Sequence, residues 1–466
     1  MVLLIGIDDT DSRQGRCTTH LAYRIVDFLF SNGYEVEEYP FLARLNPNIP
    51  WKTRGNGAVC IKVKADMESR EGEHVMQIVK EMVESNSMLG YGANPGIVFL
   101  GRCKNIEPIV RFANDALWRV MSIRGAIKVI EECKNYDSSI EYYAMGNGQG
   151  IVGALASIGL ASSMLDDYTF EVIAYRRQEM CGLPRLVDEA SVMMMDKATH
   201  PYTFNNYDYK HARVLITPHG PDPVLFGIRG DDPCILLDAL SMLKVHEPLE
   251  GYMLFRSNQG TNAHLANMLD ASNLKAYTSG YIQGRVASEP LAIEGGHTFF
   301  ALECYGNNGY GSGDEDGYGK GNVLCAVYEP TGLSPIAQAL SIGDVLEVGG
   351  GVRKGTSKHP KVLNVEYIKV VDLARKVRYM NPLCICGKRL KSEGKGKGYG
   401  CKKCGYRVRD AEKVDVEVAR DLRLGLYLPD AKAHRHLTKP LHRYGIKPGC
   451  MRLDIDWFNN NSRFTR

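Results

Sequence analysis

Asp8, Asp9 and Asp11 lie within four residues of one another, directly after the apolar run Val2 to Ile7. Three carboxylates this close repel one another unless something positive sits between them. The apolar run reads as a buried strand, so the acids gather at its C-terminal end. Hard oxygen ligands in that position suit Mg2+ carrying nucleotide phosphates. Gly15-Arg16-Cys17 follows, and then the hydroxyls of Thr18 and Thr19 at the start of an expected helix. The competing reading is a polar loop whose Asp and Ser side chains cap turns. That reading leaves the density of acids unexplained.

A second pattern binds metal. Cys384-Ile385-Cys386-Gly387 and Cys401-Lys402-Lys403-Cys404-Gly405 are separated by a short linker. Two thiolate pairs, each followed by glycine, make the knuckles of a tetrahedral Zn2+ site. Four thiolates leave no open position, so this zinc is structural. Chance placement of buried, unligated cysteines is the alternative, and the first pair is one residue tighter than the usual Cys-x-x-Cys.

Basic residues crowd the same segment, among them Lys395, Lys397, Lys402 and Lys403, with Tyr399 and Tyr406 interleaved. Further on come Arg435, His436 and Lys439. A charge run is usually a solvated face. On a zinc ribbon beside a barrel it favours phosphate contacts with nucleic acid.

Gly146-Asn147-Gly148-Gln149-Gly150 opens another expected helix. Glycines let backbone amides approach a phosphate at a helix N-terminus, although a tight packing turn fits nearly as well. No Gly-x-x-x-x-Gly-Lys-[Ser/Thr] P-loop and no Lys-x-Asp-Gly ligase nucleophile occurs. Two polar stretches, Thr217 to Pro223 leading through an apolar run to Arg229-Gly230-Asp231-Asp232, and Asn258 to His264, suit base or ribose recognition or ordinary turns.

These groups need a scaffold of several domains, and 466 residues with 44% apolar composition supply enough chain. The spacing predicts an N-terminal α/β unit over 1–200, with strands at 57–65, 97–100 and 171–175. Helices are expected at 71–83, 109–121 and 154–161. A small α+β unit is expected over 201–272. Five short strands at 280–286, 298–302, 323–327, 344–348 and 362–371 predict an OB-type barrel within 273–375, with an SH3-like barrel open, and a long loop at 306–321. The zinc ribbon would occupy 376–412 and a basic C-terminal tail 413–466. The class is therefore multidomain α+β. A net charge of +3 does not announce nucleic-acid binding by itself. The lack of a signal-peptide pattern, the absence of a membrane-length apolar run and the scattered cysteines together predict a cytoplasmic protein with no membrane partner.

Taken together, these motifs resemble the archaeal tRNA-isoleucine 2-agmatinylcytidine synthetases nearly end to end. The resemblance runs from Gly6-Ile7-Asp8-Asp9-Thr10-Asp11-Ser12 and Cys17-Thr18-Thr19 through the glycine turn to the ribbon and Ala433 to Leu441. It implies a kinase-like domain, a ferredoxin-like domain, an OB fold and a zinc ribbon. It implies an ATP-dependent ligase that joins agmatine to carbon 2 of the wobble cytidine of the CAU-anticodon isoleucine tRNA that reads AUA. The reaction would pass through a phosphorylated cytidine, with ATP broken down to AMP and pyrophosphate plus phosphate-transfer products. Asp8, Asp9 and Asp11 would handle Mg2+ and ATP, Thr18 would be the threonine phosphorylated by the enzyme itself, and Gly146, Asn147, Gly148 and Gly150 would approach the nucleotide. Agmatine needs carboxylates; Asp166, Asp167, Glu179, Asp222 and Asp231 are the candidates. No obligate protein partner is implied. The rival readings are a non-catalytic RNA-binding protein and a different RNA kinase or ligase.

Overall fold

The computed structural model describes residues 1–136, 138–163, 165–304, 322–357 and 359–460. The loop expected at 306–321 therefore lies outside the described residues. The N-terminal half contains β1 (Leu3–Asp8), α1 (Thr18–Ser31), β2 (Phe41–Arg44), β3 (Gly57–Val63), α2 (Arg70–Asn86) and β4 (Gly96–Leu100). It continues with α3 (Glu107–Ala116), α4 (Ile123–Asn135), β5 (Ile140–Ala144) and α5 (Gly150–Ser162). Next come β6 (Thr169–Arg176), α6 (Glu189–Thr199), β7 (Thr203–Phe204), a hairpin of β8 (Tyr207–Asp208) and β9 (Arg213–Val214), β10 (Val224–Gly230), α7 (Pro233–Met242) and β11 (Leu249–Ser257).

One sheet joins most of these strands in the order β5-β4-β1-β3-β2-β11-β6-β10-β7. Its pairings are antiparallel except where β11 meets β2, with Arg256 opposite Phe41. Side chains alternate across β1 as strand geometry requires. Leu3, Ile5 and Ile7 enter the core shared with α1 and α2. Leu4 faces the other core, built on α3, α4 and α5. Gly6 lies on that second face, and a methyl there would collide with the Ala154 carbonyl of α5. Helix α5 is apolar on every side and rich in Gly, Ala and Ser. It can therefore sit buried between the sheet and α3, close enough to bring its first turn against the end of β1.

The expected break at residue 200 falls inside a unit. Strand β6 lies between β10 and β11, so residues 169–257 share one set of ladders. Alternation of elements along the chain does not reveal which later strands an earlier one will pair with.

The five expected barrel strands are present: β12 (Ser279–Val286), β13 as an extra short strand (Leu291–Ala292), β14 (Thr298–Cys304), β15 (Asn322–Val327), β16 (Val345–Arg353) and β17 (Val362–Asp372). Apart from β13, they close a ring, because β12 pairs with both β14 and β16, and β15 pairs in parallel with β17. The ribbon hangs from a two-stranded stem, Val377–Met380 against Val414–Glu417. Residues 413–460 are not the expected tail. Gly425–Tyr427 adds to β17 and Phe458–Asn460 adds to β11. The chain beyond the ribbon thus returns through the barrel to the main sheet. Among the described residues, no helix is long and apolar enough to cross a membrane.

Candidate active site and zinc centre

Asp8 is the last residue of β1, and the chain turns sharply at Asp9, whose φ is +58°. A short bridge between Ser12 and Gly15 closes the loop, and Arg16, at φ +63°, redirects it into α1. Thr18, the first residue of α1, is buried and its Oγ1 lies 3.0 Å from Thr10 Oγ1. The Asp8 carboxylate rests against Gly153 in the first turn of α5, where any side chain would collide with it.

The three acids line one partly open hollow. Burial, then the neighbouring Asp9, pushes the Asp8 carboxyl well above its ordinary range. Burial and Asp11 push Asp9 up to about 6, against hydrogen bonds from Asn94. Burial raises Asp11 as well, despite the opposing charge of Arg54. Desolvated carboxylates crowded by like charge are poised to accept a cation.

The hollow has a volume of about 350 Å³, and Asp8, Asp9, Asp11, Thr18, Glu171 and Arg229 are on its walls. A larger one of about 920 Å³ shares Arg44, Arg54, Arg229 and His436 with it and adds Arg13, Arg213 and Lys432. The first chamber is acidic at its floor and the second is lined by cations. At their junction Glu171, on β6, is 3.1 Å from Arg229 Nε and 3.7 Å from Arg44, and it accepts from the Gln259 amide. His436 Nδ1 lies 3.1 Å from both Arg229 Nη2 and Gln259 Oε1. Burial, with Arg44 and Arg229 nearby, holds that imidazole far below its ordinary pKa, so it is neutral.

The four cysteines converge at the tip of the ribbon. All four Sγ atoms lie within 4.8 Å of one another. Cys384 and Cys404 are 3.3 Å apart, and Cys386 and Cys401 are 3.6 Å apart. A tetrahedral zinc with bonds of about 2.3 Å separates its sulfurs by about 3.8 Å, so the donor set fits. The tight first pair still forms a knuckle. Gly387 and Gly405, at φ +78° and +77°, return their amides to the carbonyls of Cys384 and Cys401.

Three family models cover most of the chain. They are described as the TiaS TCKD domain over residues 4–141, the TiaS FLD domain over 148–264 and the TiaS C-terminal zinc ribbon domain over 381–422. The isoleucine-tRNA 2-agmatinylcytidine synthetase TiaS of Cenarchaeum symbiosum is 42% identical over 446 residues, spanning 95% of this chain and 93% of that protein. This chain belongs to the TiaS family. The TiaS of Methanocaldococcus jannaschii is 39% identical over 446 residues, covering 95% of this chain and 98% of that protein. Among solved structures, a complex of TiaS with its isoleucine tRNA and ATP superposes with a TM-score of 0.81 at 36% identity, over 97% of this chain and 99% of that one. A complex of TiaS with the same tRNA, AMPCPP and agmatine gives 0.77 at 34% identity, over 97% and 99%.

Not every expected site residue of this TiaS-family chain reaches the chambers. The glycine turn is a packing turn, because its amides are already used. Asn147 N donates to Asn94 Oδ1, Gly148 N to Met145 O, Gln149 N to Asn147 Oδ1, and Gly150 N to Asn94 O. Gly150 itself is wedged against Gly96 and the Asp8 carbonyl. The amides of Asn147, Gly148 and Gly150 are thus engaged within the turn, and Gln149, Val152 and Gly153 line the cavity, whereas Gly146, Asn147, Gly148 and Gly150 do not. Lys395, Lys397, Lys402 and Lys403 are exposed on the ribbon. Arg435 and Lys439 are not free basic surface: Arg435 pairs with Glu366 at 3.2 Å and Lys439 with Asp167 at 2.6 Å. His436 faces both chambers.

Of the agmatine candidates, Asp167 and Asp231 are both held by Arg443 at 2.8 Å, and Asp166 and Glu179 are exposed and line neither chamber. Only Asp222 lines them. Sequence reasoning missed Arg44, Arg54 and Glu171. Each is a single charged residue with no motif around it, and only the meeting of β2, β6 and the loop before β3 reveals them.

Proposed function

We propose that this chain is an ATP-dependent tRNA-modifying ligase that joins agmatine to carbon 2 of the wobble cytidine of the AUA-reading isoleucine tRNA. The observation that carries this reading is the pair of adjoining chambers, one acidic beside Thr18 and one cationic. Named relatives and complexes of the family with isoleucine tRNA, ATP and agmatine support it along almost the whole chain. The matched N-terminal segment corresponds to a kinase-like unit and the next to a ferredoxin-like unit, with the barrel as an OB fold.

The chemistry follows from the substrate. A cytidine carbonyl oxygen is a poor leaving group until it is phosphorylated. A phosphoryl group that originates in ATP is placed on that oxygen; the agmatine amine then attacks carbon 2 and loses a proton, the carbon–oxygen bond breaks, and phosphate departs with the oxygen. Phosphoryl transfer needs positioning and charge neutralisation. Asp8, Asp9 and Asp11 offer hard oxygen donors for Mg2+, which supplies charge neutralisation on the phosphates when bound. Thr18, beside them, is the hydroxyl that takes up phosphate on the enzyme. The cationic chamber receives the anticodon backbone, and the wobble base leaves its stack to reach the junction. Asp222 is the one agmatine candidate on the chamber walls, and there Arg54 and Arg185 already pair with it.

The test is mass analysis of nucleosides from a transcript of that tRNA incubated with the protein, ATP, Mg2+ and agmatine. A cytidine heavier by one condensed agmatine, only with all components present, is the expected result. Unmodified cytidine with ATP still consumed would leave a different RNA kinase or ligase. Intact ATP as well would leave an RNA-binding protein.

A further inference from the structure

Arg54 stands in the wall between the two chambers and lines both. Its guanidinium touches two loops at once. On one side Nη2 donates to the carbonyls of Ser12 at 3.1 Å, Gly15 at 3.1 Å and Arg16 at 2.6 Å, while Nε lies 3.3 Å from Asp11 Oδ2. On the other, Nη1 is 3.0 Å from Asp222 Oδ2 in the loop Thr217–Pro223. Asp222 is almost wholly buried and is fastened from behind by Arg185, at 3.3 Å. Arg185 also donates to the carbonyls of Gly220 and Val224.

The loop held this way needs holding. Asp9 and Arg16 are both non-glycine residues in the left-handed region. Such conformations persist only when their surroundings over-determine them. The same loop carries Asp11 and leads directly into Thr18. A guanidinium fork can meet carbonyls and carboxylates in several directions, whereas a lysine ammonium is a single point. Thr53 to Gly55 and Thr217 to Asp222 line the cationic chamber, so RNA seated there meets both loops of the clamp.

We propose that Arg54 is a positioning residue that couples the chambers: RNA seated in the cationic chamber fixes Arg54 against Asp222, and Arg54 fixes Asp11 and the turn into Thr18. ATP use is thereby made dependent on RNA. The proposal rests on the function given above and adds the residue that links binding to phosphoryl transfer.

The experiment uses full-length protein with Arg54→Lys, Asp222→Asn and both changes together. ATP consumption is measured with and without the isoleucine tRNA transcript, beside tRNA affinity and thermal unfolding. In the unmodified protein, tRNA raises the ATP rate by roughly tenfold or more. Each single variant keeps its unfolding temperature, keeps tRNA affinity and the KM for ATP within about threefold, and loses most of the stimulation through kcat. The double variant is no worse than either single one, because both break one clamp. Retained stimulation in Arg54→Lys, additive losses, or a fall in unfolding temperature and tRNA affinity that tracks the lost rate in both single variants would each overturn the proposal. Modified cytidine made by the unmodified protein with no tRNA effect on ATP use would overturn the coupling and leave the function standing. Absence of modified cytidine in the unmodified protein would instead remove the function.

Discussion

Arg443 Nε donates to Asp231 Oδ1 at 2.8 Å across 212 residues of sequence, and the arginine has no exposed surface. The same guanidinium reaches Asp167, donates to the carbonyls of Gly260 and Tyr168, and lies over the Phe204 ring at 5.4 Å. It is the bolt by which the chain beyond the ribbon is fastened to the unit carrying β6, β10 and β11. Removing one partner of a buried pair leaves the other charge uncompensated, at a cost of about 3–5 kcal/mol. Arg443→Met is therefore expected to lower unfolding free energy in urea by about that amount. A loss below about 1 kcal/mol would mean that the aspartates find water or Lys439 instead.

The barrel was legible because each of its five strands is a short apolar run bounded by turn residues, and β12 and β14 to β17 fall where those runs lie. The zinc ligands were legible for a similar reason: their spacing is local. The joins between distant segments were not. Phe458–Asn460 pairs with β11 although nothing in either segment names the other. The glycine turn misled for a physical reason. Glycine serves equally where a phosphate approaches and where two backbones pack, and Gly150 does the second. The acidic loop was visible as chemistry, yet its neutralising partner Arg54 comes from a loop with no motif. Basic residues near the C-terminus were visible as charge, but their partners Glu366 and Asp167 were not, so a surface contacting nucleic-acid phosphates was expected where ion pairs exist.

The ribbon has almost no apolar core of its own: Cys384, Leu390 and Cys401 are its buried members. Metal binding must therefore supply much of its folding free energy. One zinc per chain is expected by elemental analysis, and Cys401→Ser is expected to lose it. Chelation should melt the ribbon while the main sheet stays folded. With the ribbon gone, tRNA affinity should fall and the slope of log affinity against log salt should flatten, by about 0.7–0.9 for each phosphate that the ribbon had neutralised. An unchanged slope would mean that Lys395, Lys397, Lys402 and Lys403 touch no phosphate.

Docking of the C-terminal segment should be acid-sensitive. Burial, His200 and Arg443 hold His442 down at about 4. Burial also lowers His434 and His436. Each group is neutral when folded but protonates near 6.5 when released, so its contribution is present above pH 6.5 and is lost as pH falls toward the folded value. Hydrogen exchange across 429–460 is therefore expected to quicken between pH 7 and pH 5, relative to exchange in the barrel corrected for intrinsic rate. His442→Gln should weaken that trend. Equal protection at both pH values would show that the released segment keeps its histidines neutral.

The acidic loop predicts a trade between stability and activity. Asp8 and Asp9 are carboxylates raised first by burial, with Asp9 raising Asp8 and Asp11 raising Asp9, so their charges oppose the unliganded fold. Asp8→Asn keeps the shape that Gly153 leaves room for and removes one charge. It is expected to unfold at the same or a higher temperature than the unmodified protein, while tRNA affinity stays within about threefold and product falls by at least about a hundredfold. Thr18→Ala loses only the hydroxyl that meets Thr10, at a cost of about 1 kcal/mol, and should abolish phosphate label on the protein. The two variants separate two roles. If Asp8→Asn still labels Thr18, the aspartate acts after phosphate reaches the enzyme. If neither variant is labelled, Asp8 serves the first transfer, which is the outcome expected from its position at the end of β1, against the first turn of α5 and lining one hollow with Thr18.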